Sequence, residues 1–186
     1  MRTFRQGLHL AEKKELSEEK KIKRISSPPR VILPLSQHTG APCKPLVKVG
    51  DWVEEGQKIA DADSFISSPI HASISGKVSS IEKMPHPVGG EGEAIIIEGN
   101  GNERKIWEKG KVNPRPLEAK EIRKIIREAG IVGLGGAAFP THVKLSPPEN
   151  KPIDTIILNG CECEPYLTGD HRLMLERADD CLYGLR

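Results

Sequence analysis

A glycine-rich segment is the first place in the chain where residue types and spacing could do chemistry. It reads GLGGAAFPTHVKL, with glycines at Gly133, Gly135 and Gly136 and a lysine at Lys144. Glycine lets a ligand approach the main chain closely, and backbone N–H groups beside an ammonium group are suited to bind phosphate. The alternative is a tight connection between helix and loop, in which the small residues pack against a sheet. The lysine and the acidic loop described next together favour the approach of a planar, anionic ligand over this alternative.

A second segment, LNGCECEP, offers polar groups of a different kind. The amide of Asn159 can both donate to and accept from the edge of a heterocycle. Glu162 and Glu164 alternate with two cysteines, so an extended chain would turn both carboxylates to one side and both thiols to the other. The carboxylates could then face ribose hydroxyls or a carboxamide. Cys161 and Cys163 form a weak metal-binding pattern even with His171, and buried, inert thiols are favoured.

The letters of the glycine segment also fit the G-x-G-x-x-A pattern of dinucleotide-binding folds. That pattern should follow a strand and begin a helix. Here the segment is predicted to follow a helix that ends at Gly130, and Phe139-Pro140 closes it. We therefore reject the standard fingerprint and keep only its physical content, a bare main chain beside a cation. No general acid or nucleophile is evident, so no catalytic side chain is predicted.

The elements that must position these loops begin with a charged leader, residues 1–30. It holds nine Lys/Arg against four Glu and ends in SSPP. Such a leader could dock on an acidic partner or on anionic lipid, or it could be a solvated tail. Aromatic residues do not interleave with the basic ones, which speaks against a nucleic-acid surface.

Residues 31–100 have the pattern of a small all-β domain, because turn pairs separate short apolar runs about every ten residues. Two stretches, VKVGDWVEEGQKIAD and SPIHASISGKVSSI, resemble the two halves of a biotinyl/lipoyl-type barrel-sandwich domain. Carrier versions of that domain hold a modified lysine on the hairpin between the halves. No lysine lies between Lys58 and Lys77. The resemblance therefore implies a domain that organises or docks and does not carry a group.

Beyond a polar linker at residues 101–115, residues 116–186 are predicted to start an α/β domain. Pro116 suits the first turn of a helix whose C-cap is Gly130. PIDTIILNG is typical of a short buried parallel strand, and a last helix capped by Thr168 or Asp170 follows. One strand cannot complete an α/β layer. We expect a mixed fold, α+β or α/β, in which an all-β barrel-sandwich precedes an incomplete α/β domain of a longer architecture.

Hydropathy and cysteine usage limit where the chain works. No apolar run approaches the length of a membrane span, and the N-terminal residues lack a secretory apolar stretch. The four cysteines contain no Cys-x-x-Cys pair, which favours reduced thiols. We expect a cytoplasmic protein that reaches a membrane only through partners.

The two loops together carry a resemblance to a known family. GIVGLGGAAFPTHVKL and LNGCECEPYLTGDHRLMLE are similar to the NADH-binding C subunit of Rnf electron-transport complexes. They resemble more distantly the flavin- and NADH-binding subunit of respiratory complex I. The leader segments TFRQGLHL and VILPLSQHTGAP and the barrel-sandwich also look like the Rnf subunit. The resemblance covers nearly the whole chain, and the α/β part would then be a flavin- and nucleotide-binding domain.

The resemblance implies roles for eight residues. Glycines of the first loop would line FMN with a lysine near its phosphate, the acidic loop would lie near flavin and nicotinamide, and an aromatic ring would stack on the adenine of NADH. In that order these are Gly133, Gly135, Gly136, Lys144, Asn159, Glu162, Glu164 and Phe139. Two departures weaken polar contacts, because Leu134 replaces an arginine of the complex I loop and Cys161 replaces an aspartate.

The function implied is part of an NADH-oxidising subunit. Hydride would pass from NADH to FMN, and electrons would pass to iron–sulfur clusters in segments absent from this chain. Partner subunits would couple this flow, which reaches ferredoxin indirectly, to ion translocation, with the protein peripheral on the cytoplasmic face of the membrane. This stretch of chain alone is expected to be inactive. The alternative is a non-catalytic docking or assembly module that uses the barrel-sandwich surface.

Overall fold

The computed structural model describes residues 10–99, 101, 117–134, 137–151 and 153–185. The chain divides into two compact units, of which the larger is Ile25–Pro152 and the smaller joins Met1–Arg24 to Ile153–Arg186. Apart from Gly101, the predicted linker at 101–115 lies outside the described residues, as do Pro116, Gly135 and Gly136. No helix among the described residues has the length and apolar character that a membrane span requires.

Within its described residues, the larger unit begins with seven antiparallel strands in two sheets. The four-stranded sheet has the order β1-β7-β6-β3, and the three-stranded sheet has the order β2-β4-β5. The strands are β1 Arg30–Pro34, β2 Lys44–Pro45, β3 Trp52–Val53, β4 Lys58–Asp61, β5 Ile70–His71, β6 Gly76–Pro85 and β7 Glu91–Gly99. The prediction of an N-terminal β domain built from short strands is confirmed.

The core of this unit lies between the sheets and is mostly aliphatic. Strand β7 runs between β1 and β6, and its central residues 94–97 are all buried. Ile97 pairs with Val78 across the β6–β7 ladder, and both side chains are fully buried in the core with Val53 and Ile59. Removing such side chains from water is the main stabilising contribution to a small β domain. The β6–β7 hairpin therefore anchors the sheet.

The β4–β5 hairpin, residues 62–69, joins the two halves of the barrel-sandwich. It packs on the loop that contains His38, whose Nε2 accepts a 3.0 Å hydrogen bond from the backbone N–H of Ser68. The thiol of Cys43 is buried and donates to the Ser68 carbonyl at 3.2 Å, as a core residue should. Burial raises the pKa of the Cys43 thiol, which keeps it protonated and unreactive.

The first helix of the larger unit, α1, is Ala119–Glu128. It starts at Ala119, because Glu118 and Glu121 form a reciprocal capping box at that point. Gly130, predicted as the C-cap, lies one residue beyond the cap at Ala129 and has the positive φ of +71° that ends many helices. A single-turn helix, α2, Thr141–Lys144, follows the glycine segment.

In the smaller unit, the strand predicted from PIDTIILNG is not formed. Residues 153–163 have no strand assignment, and Ile157 is 84% exposed. A parallel strand exists only when neighbouring strands satisfy its backbone groups, and the described part of this unit contains none. Of the α/β domain predicted for this region, the described residues of this unit form only the helices.

The last predicted helix is two helices, α3 Gly169–Glu176 and α4 Ala178–Leu185. Arg177 interrupts them with a φ of −136°, and Asp179 and Asp180 then occupy the first turn of α4, where acidic residues favour a helix start. Thr168 takes the N-cap position of α3, although its side chain makes no capping bond.

The leader contributes to the smaller unit through several hydrogen bonds. The ammonium group of Lys14 donates to the Leu167 carbonyl at 2.8 Å, and the N–H of Tyr166 donates to the Glu12 carbonyl at 2.7 Å. Arg172 on α3 donates to the Glu18 carbonyl at 3.1 Å. Over this stretch the leader is therefore bound to its own chain and is not simply a solvated tail.

Candidate functional site

The glycine loop, residues 131–141, is closed by its own backbone. Val132 and Pro140 form an antiparallel bridge, and Thr141 donates its N–H to the Ile131 carbonyl at 3.0 Å. Gly133 donates its N–H to the Phe139 carbonyl at 2.9 Å. That donor is therefore already used, and what Gly133 offers a ligand is close approach to the main chain.

Lys144 reaches back across the base of this loop from the end of α2. A Cβ atom added to Gly133 would lie 2.6 Å from the Lys144 Nζ, so the missing side chain makes room for the ammonium group. Lys144 is exposed, and its ammonium group meets no carboxylate within the described residues. An unpaired cation beside bare main chain is an arrangement that fits a phosphate group.

Three residues complete the description of the loop. Leu134, at its tip, is 89% exposed, whereas Phe139 is half-buried and lies at the base. Ala138 has a φ of +48°, in the left-handed region that L-residues other than glycine, asparagine and aspartate seldom adopt. Such a conformation persists only where surrounding contacts hold it.

Those contacts come from the β domain. Thr39 donates its hydroxyl to the Ala137 carbonyl at 2.5 Å and its N–H to the Ala138 carbonyl at 3.3 Å. On the other side of the loop, His142 is buried, and its Nε2 lies 2.9 Å from the Phe65 carbonyl of the β4–β5 hairpin. Neither Thr39 nor His142 is assigned a site role from the sequence, because single hydrogen bonds to distant carbonyls leave no periodic pattern.

An ionic cluster joins α1 to strand β4 next to this loop. Arg127 contacts Asp61 at 2.8 Å, and Lys58 contacts Glu128 at 2.6 Å and Asp61 at 3.1 Å. Burial acts to raise the pKa of Asp61, but hydrogen bonds from Arg127, the Ala62 N–H and Lys58 outweigh it and lower that pKa overall. The hydrogen bond from Lys58 lowers the pKa of Glu128.

We expect this cluster to make the stability of the larger unit depend on acid pH. Because the folded pKa of both carboxyl groups is depressed, their contribution is present above the unfolded values, 3.8 for Asp61 and 4.5 for Glu128, and is lost as pH falls through the folded ones. Unfolding by urea at a series of pH values measures this. Asp61→Asn should make the acid limb of the stability curve, the fall in the free energy of unfolding as pH decreases, less steep. It should also reduce stability at neutral pH.

A matched control is Glu91→Gln, which removes an exposed carboxyl group at the start of β7. It should leave the acid limb as steep as in the wild type. An unchanged acid limb in Asp61→Asn would contradict the assignment of this pH dependence to the cluster.

The acidic loop, residues 158–165, is organised by its own side chains. The Asn159 Oδ1 accepts the Cys161 N–H at 2.9 Å, and the Glu162 Oε1 accepts the His171 N–H at 3.1 Å in the first turn of α3. Glu162 thus satisfies one of the unpaired donors of that helix end. Glu164 is exposed.

The cysteines of the acidic loop differ from the prediction of buried thiols. Cys161 and Cys163 are both exposed, because the segment is not covered by a sheet in the part of the chain that the structure describes. No group of three or more histidine, cysteine or acidic side chains among the described residues could hold a metal ion.

Of the predicted site residues, the larger unit brings three together: Gly133, Phe139 and Lys144. Asn159 and Glu162 each make a structured contact in the smaller unit. Gly135 and Gly136 lie outside the described residues. That the glycine loop and the acidic loop converge on one cleft stays a prediction.

Two family models match this chain in sequence. The RnfC barrel sandwich hybrid domain matches residues 2–102, and the Nuo51 FMN-binding domain matches residues 126–186. The class of protein is therefore one in which a barrel-sandwich precedes a domain of the FMN-binding type. The chain belongs to the RnfC family, which confirms the resemblance seen in its two loops.

Named relatives agree with this assignment. The chain is 48% identical to the C subunit of the proton-translocating ferredoxin:NAD(+) oxidoreductase complex of Clostridium ljungdahlii, over 100% of the chain and 41% of the relative. It is 44% identical to the C subunit of the Na(+)-translocating ferredoxin:NAD(+) oxidoreductase complex of Acetobacterium woodii, over 99% and 42%. It is 40% identical to the C subunit of the ion-translocating oxidoreductase complex of Rhodobacter capsulatus, over 98% and 36%. The chain thus spans roughly two fifths of the length of these relatives.

Proposed function

We propose that this chain is the FMN-binding part of the NADH-oxidising C subunit in an Rnf-type ion-translocating complex. The observation that carries the proposal is the match to the Nuo51 FMN-binding domain over residues 126–186, which include both loops. The division into leader 1–30, barrel-sandwich 31–100, linker 101–115 and flavin domain 116–186 is part of the proposal. Partner subunits translocate the ion and hold this protein at the cytoplasmic face of the membrane.

The glycine loop is proposed to hold the phosphate and one face of the flavin. Lys144 supplies a positive charge, and its ammonium group is free to pair with a phosphate because no described carboxylate neutralises it. Gly133, Gly135 and Gly136 allow a planar ring to approach the main chain. Leu134 offers no charge where the complex I pattern has arginine, so the affinity for FMN depends more heavily on Lys144.

The acidic loop is proposed to hold the other polar groups of the cofactors. Asn159 and Glu162 lie near the flavin, with Glu162 anchored through the N–H of His171. Glu164 is exposed and directs a carboxylate toward the nicotinamide. Phe139 stacks on the adenine of NADH. Cys161 cannot replace the hydrogen bonds that an aspartate would make at its position.

The chemistry of the reaction belongs to the cofactors. FMN, when bound, would supply the acceptor for a hydride from NADH and the donor of single electrons toward iron–sulfur centres and, indirectly, ferredoxin. The side chains of this domain bind and orient the two molecules. No side chain needs to act as a nucleophile or as a general acid.

The visible absorbance of the purified intact subunit tests this function directly. After incubation with FMN and desalting, the protein should retain the flavin absorbance above that of its iron–sulfur clusters, and addition of NADH should bleach the flavin absorbance. Protein that retains no flavin after desalting but still binds the other subunits would replace this proposal with the docking alternative, in which the barrel-sandwich surface is the functional part.

A further inference from the structure

We propose that the barrel-sandwich is part of the cofactor site, because it holds the glycine loop in its binding conformation through Thr39 and His142. This inference rests on the proposed function, since it assigns the two residues as positioning residues for the same FMN site. The barrel-sandwich contacts the chain before, within and after the glycine loop.

Before the loop, the end of α1 is fastened to the β domain. The guanidinium group of Arg127 donates to Asp61 and, at 3.0 Å, to the Ala62 carbonyl at the start of the β4–β5 hairpin. Gly130 then lies so close to the far end of this hairpin that a Cβ atom would be 2.8 Å from the Pro69 carbonyl oxygen. The chain therefore enters the loop from a fixed point.

Within the loop, Thr39 binds two consecutive carbonyl groups, those of Ala137 and Ala138. Its hydroxyl and its N–H together fix the two peptide planes that flank the Ala138 Cα. Ala138 has the disfavoured positive φ, and the only hydrogen bond to its carbonyl among the described residues comes from Thr39. Thr39 is thus placed to hold a backbone conformation that the loop does not prefer by itself.

After the loop, His142 is 4% exposed and fixes α2 to the hairpin. A carbonyl oxygen only accepts, so the Nε2 facing Phe65 carries the hydrogen, and the ring also meets the Phe65 ring edge-on at 5.7 Å. The Nδ1 is also buried, and it has no partner among the described residues. An apolar residue would avoid that cost, so the hydrogen bond to the hairpin is the feature that distinguishes histidine here.

The contacts of Thr39 and His142 determine where the ammonium group of Lys144 lies. Lys144 lies two residues beyond His142 on the same single helical turn, and its Nζ is held over Gly133. A four-residue helix has little stability of its own, so its orientation depends on this anchor. Fixing His142 and Thr39 therefore fixes the cation relative to the bare main chain, which is the geometry that a phosphate requires.

Paired variants of the intact subunit test the inference. Thr39→Val removes the hydroxyl and Thr39→Ser keeps it, whereas His142→Leu removes the ring donor and His142→Gln keeps an N–H that can reach a carbonyl. We measure the FMN dissociation constant and, without FMN, the amide hydrogen exchange of residues 131–145. Thr39→Val and His142→Leu should each weaken FMN binding by about tenfold and accelerate exchange, and the conservative partners should restore most of both.

Ser79→Ala is the matched control, because it removes a comparable bond from a hydroxyl to a carbonyl, that of Ile96, elsewhere in the β domain. It should change neither measurement. Unchanged FMN affinity and exchange in both Thr39→Val and His142→Leu would overturn the inference while the proposed function stands. A wild-type subunit that binds no FMN would instead remove the proposed function. Accelerated exchange in Thr39→Val and His142→Leu would in that case still show that the barrel-sandwich holds the glycine loop in place. Should His142→Leu fail to fold, Thr39→Val decides alone.

Discussion

Replacing Gly40 with alanine is expected to lower the free energy of unfolding of the larger unit by about 3 kcal/mol, through steric overlap and backbone strain. Gly40 has a φ of +119°, and a Cβ atom built on it would lie 2.0 Å from the Ile66 carbonyl oxygen. That oxygen also accepts the Ala41 N–H at 3.0 Å, so the two backbones cannot separate without losing a hydrogen bond. Urea unfolding followed by tryptophan fluorescence measures the loss.

Gly89→Ala separates the two causes. Gly89 has a similar φ of +102°, but nothing lies within 4 Å of an added Cβ atom. This variant carries only the conformational strain, and we expect it to cost about 1 kcal/mol. Equal losses in the two variants would show that contact with the hairpin is not what makes glycine necessary at position 40.

Removing the charge of Lys144 is expected to have the largest effect on the affinity for the cofactor. If its ammonium group meets the FMN phosphate, Lys144→Gln should weaken FMN binding by about 10- to 100-fold, since a hydrogen bond to a charged group contributes about 1.5–3 kcal/mol. Titration of the intact subunit with FMN, followed by flavin fluorescence, measures the dissociation constant. The folded structure should be unaffected, because the side chain is exposed.

Lys151→Gln is the control for net charge. It removes an exposed cation seven residues further along the chain, so it alters the total charge without touching the glycine loop. Its FMN affinity should stay within about twofold of the wild type at physiological salt, because exposed charges more than about 8 Å apart are largely screened. Equal affinities in both lysine variants would remove Lys144 from the phosphate site.

The β domain could be predicted because the residues that form its turns lie next to its strands in the sequence. Turn pairs such as Gly50-Asp51 and Gly89-Gly90 stand between strands in the sequence, and their glycines have the positive φ that such turns require. Helix α1 could be predicted for the same reason, since its apolar spacing and Gly130 lie within one segment. The prediction places its start too early because it leaves out the capping box of Glu118 and Glu121.

The remaining features depend on distant parts of the chain. Residues 153–158 have the composition of a buried strand, yet a strand forms only where another strand bonds to it. Thr39 and Ala137 are 98 positions apart, and Phe65 and His142 are 77 apart. One threonine or one histidine has no neighbour in sequence that indicates such a contact. The motif letters could identify the loop, whereas only the fold shows what supports it.

The β4–β5 hairpin has one last consequence, for post-translational chemistry. Enzymes that attach lipoate or biotin need a lysine at the turn between the two halves of such a domain, and it must remain accessible and mobile. Here Phe65 occupies that region beside His142, and the nearest preceding lysine, Lys58, is engaged by Glu128 and Asp61. The hairpin that elsewhere carries a tethered group between active sites is therefore without the lysine to which such a group would be attached.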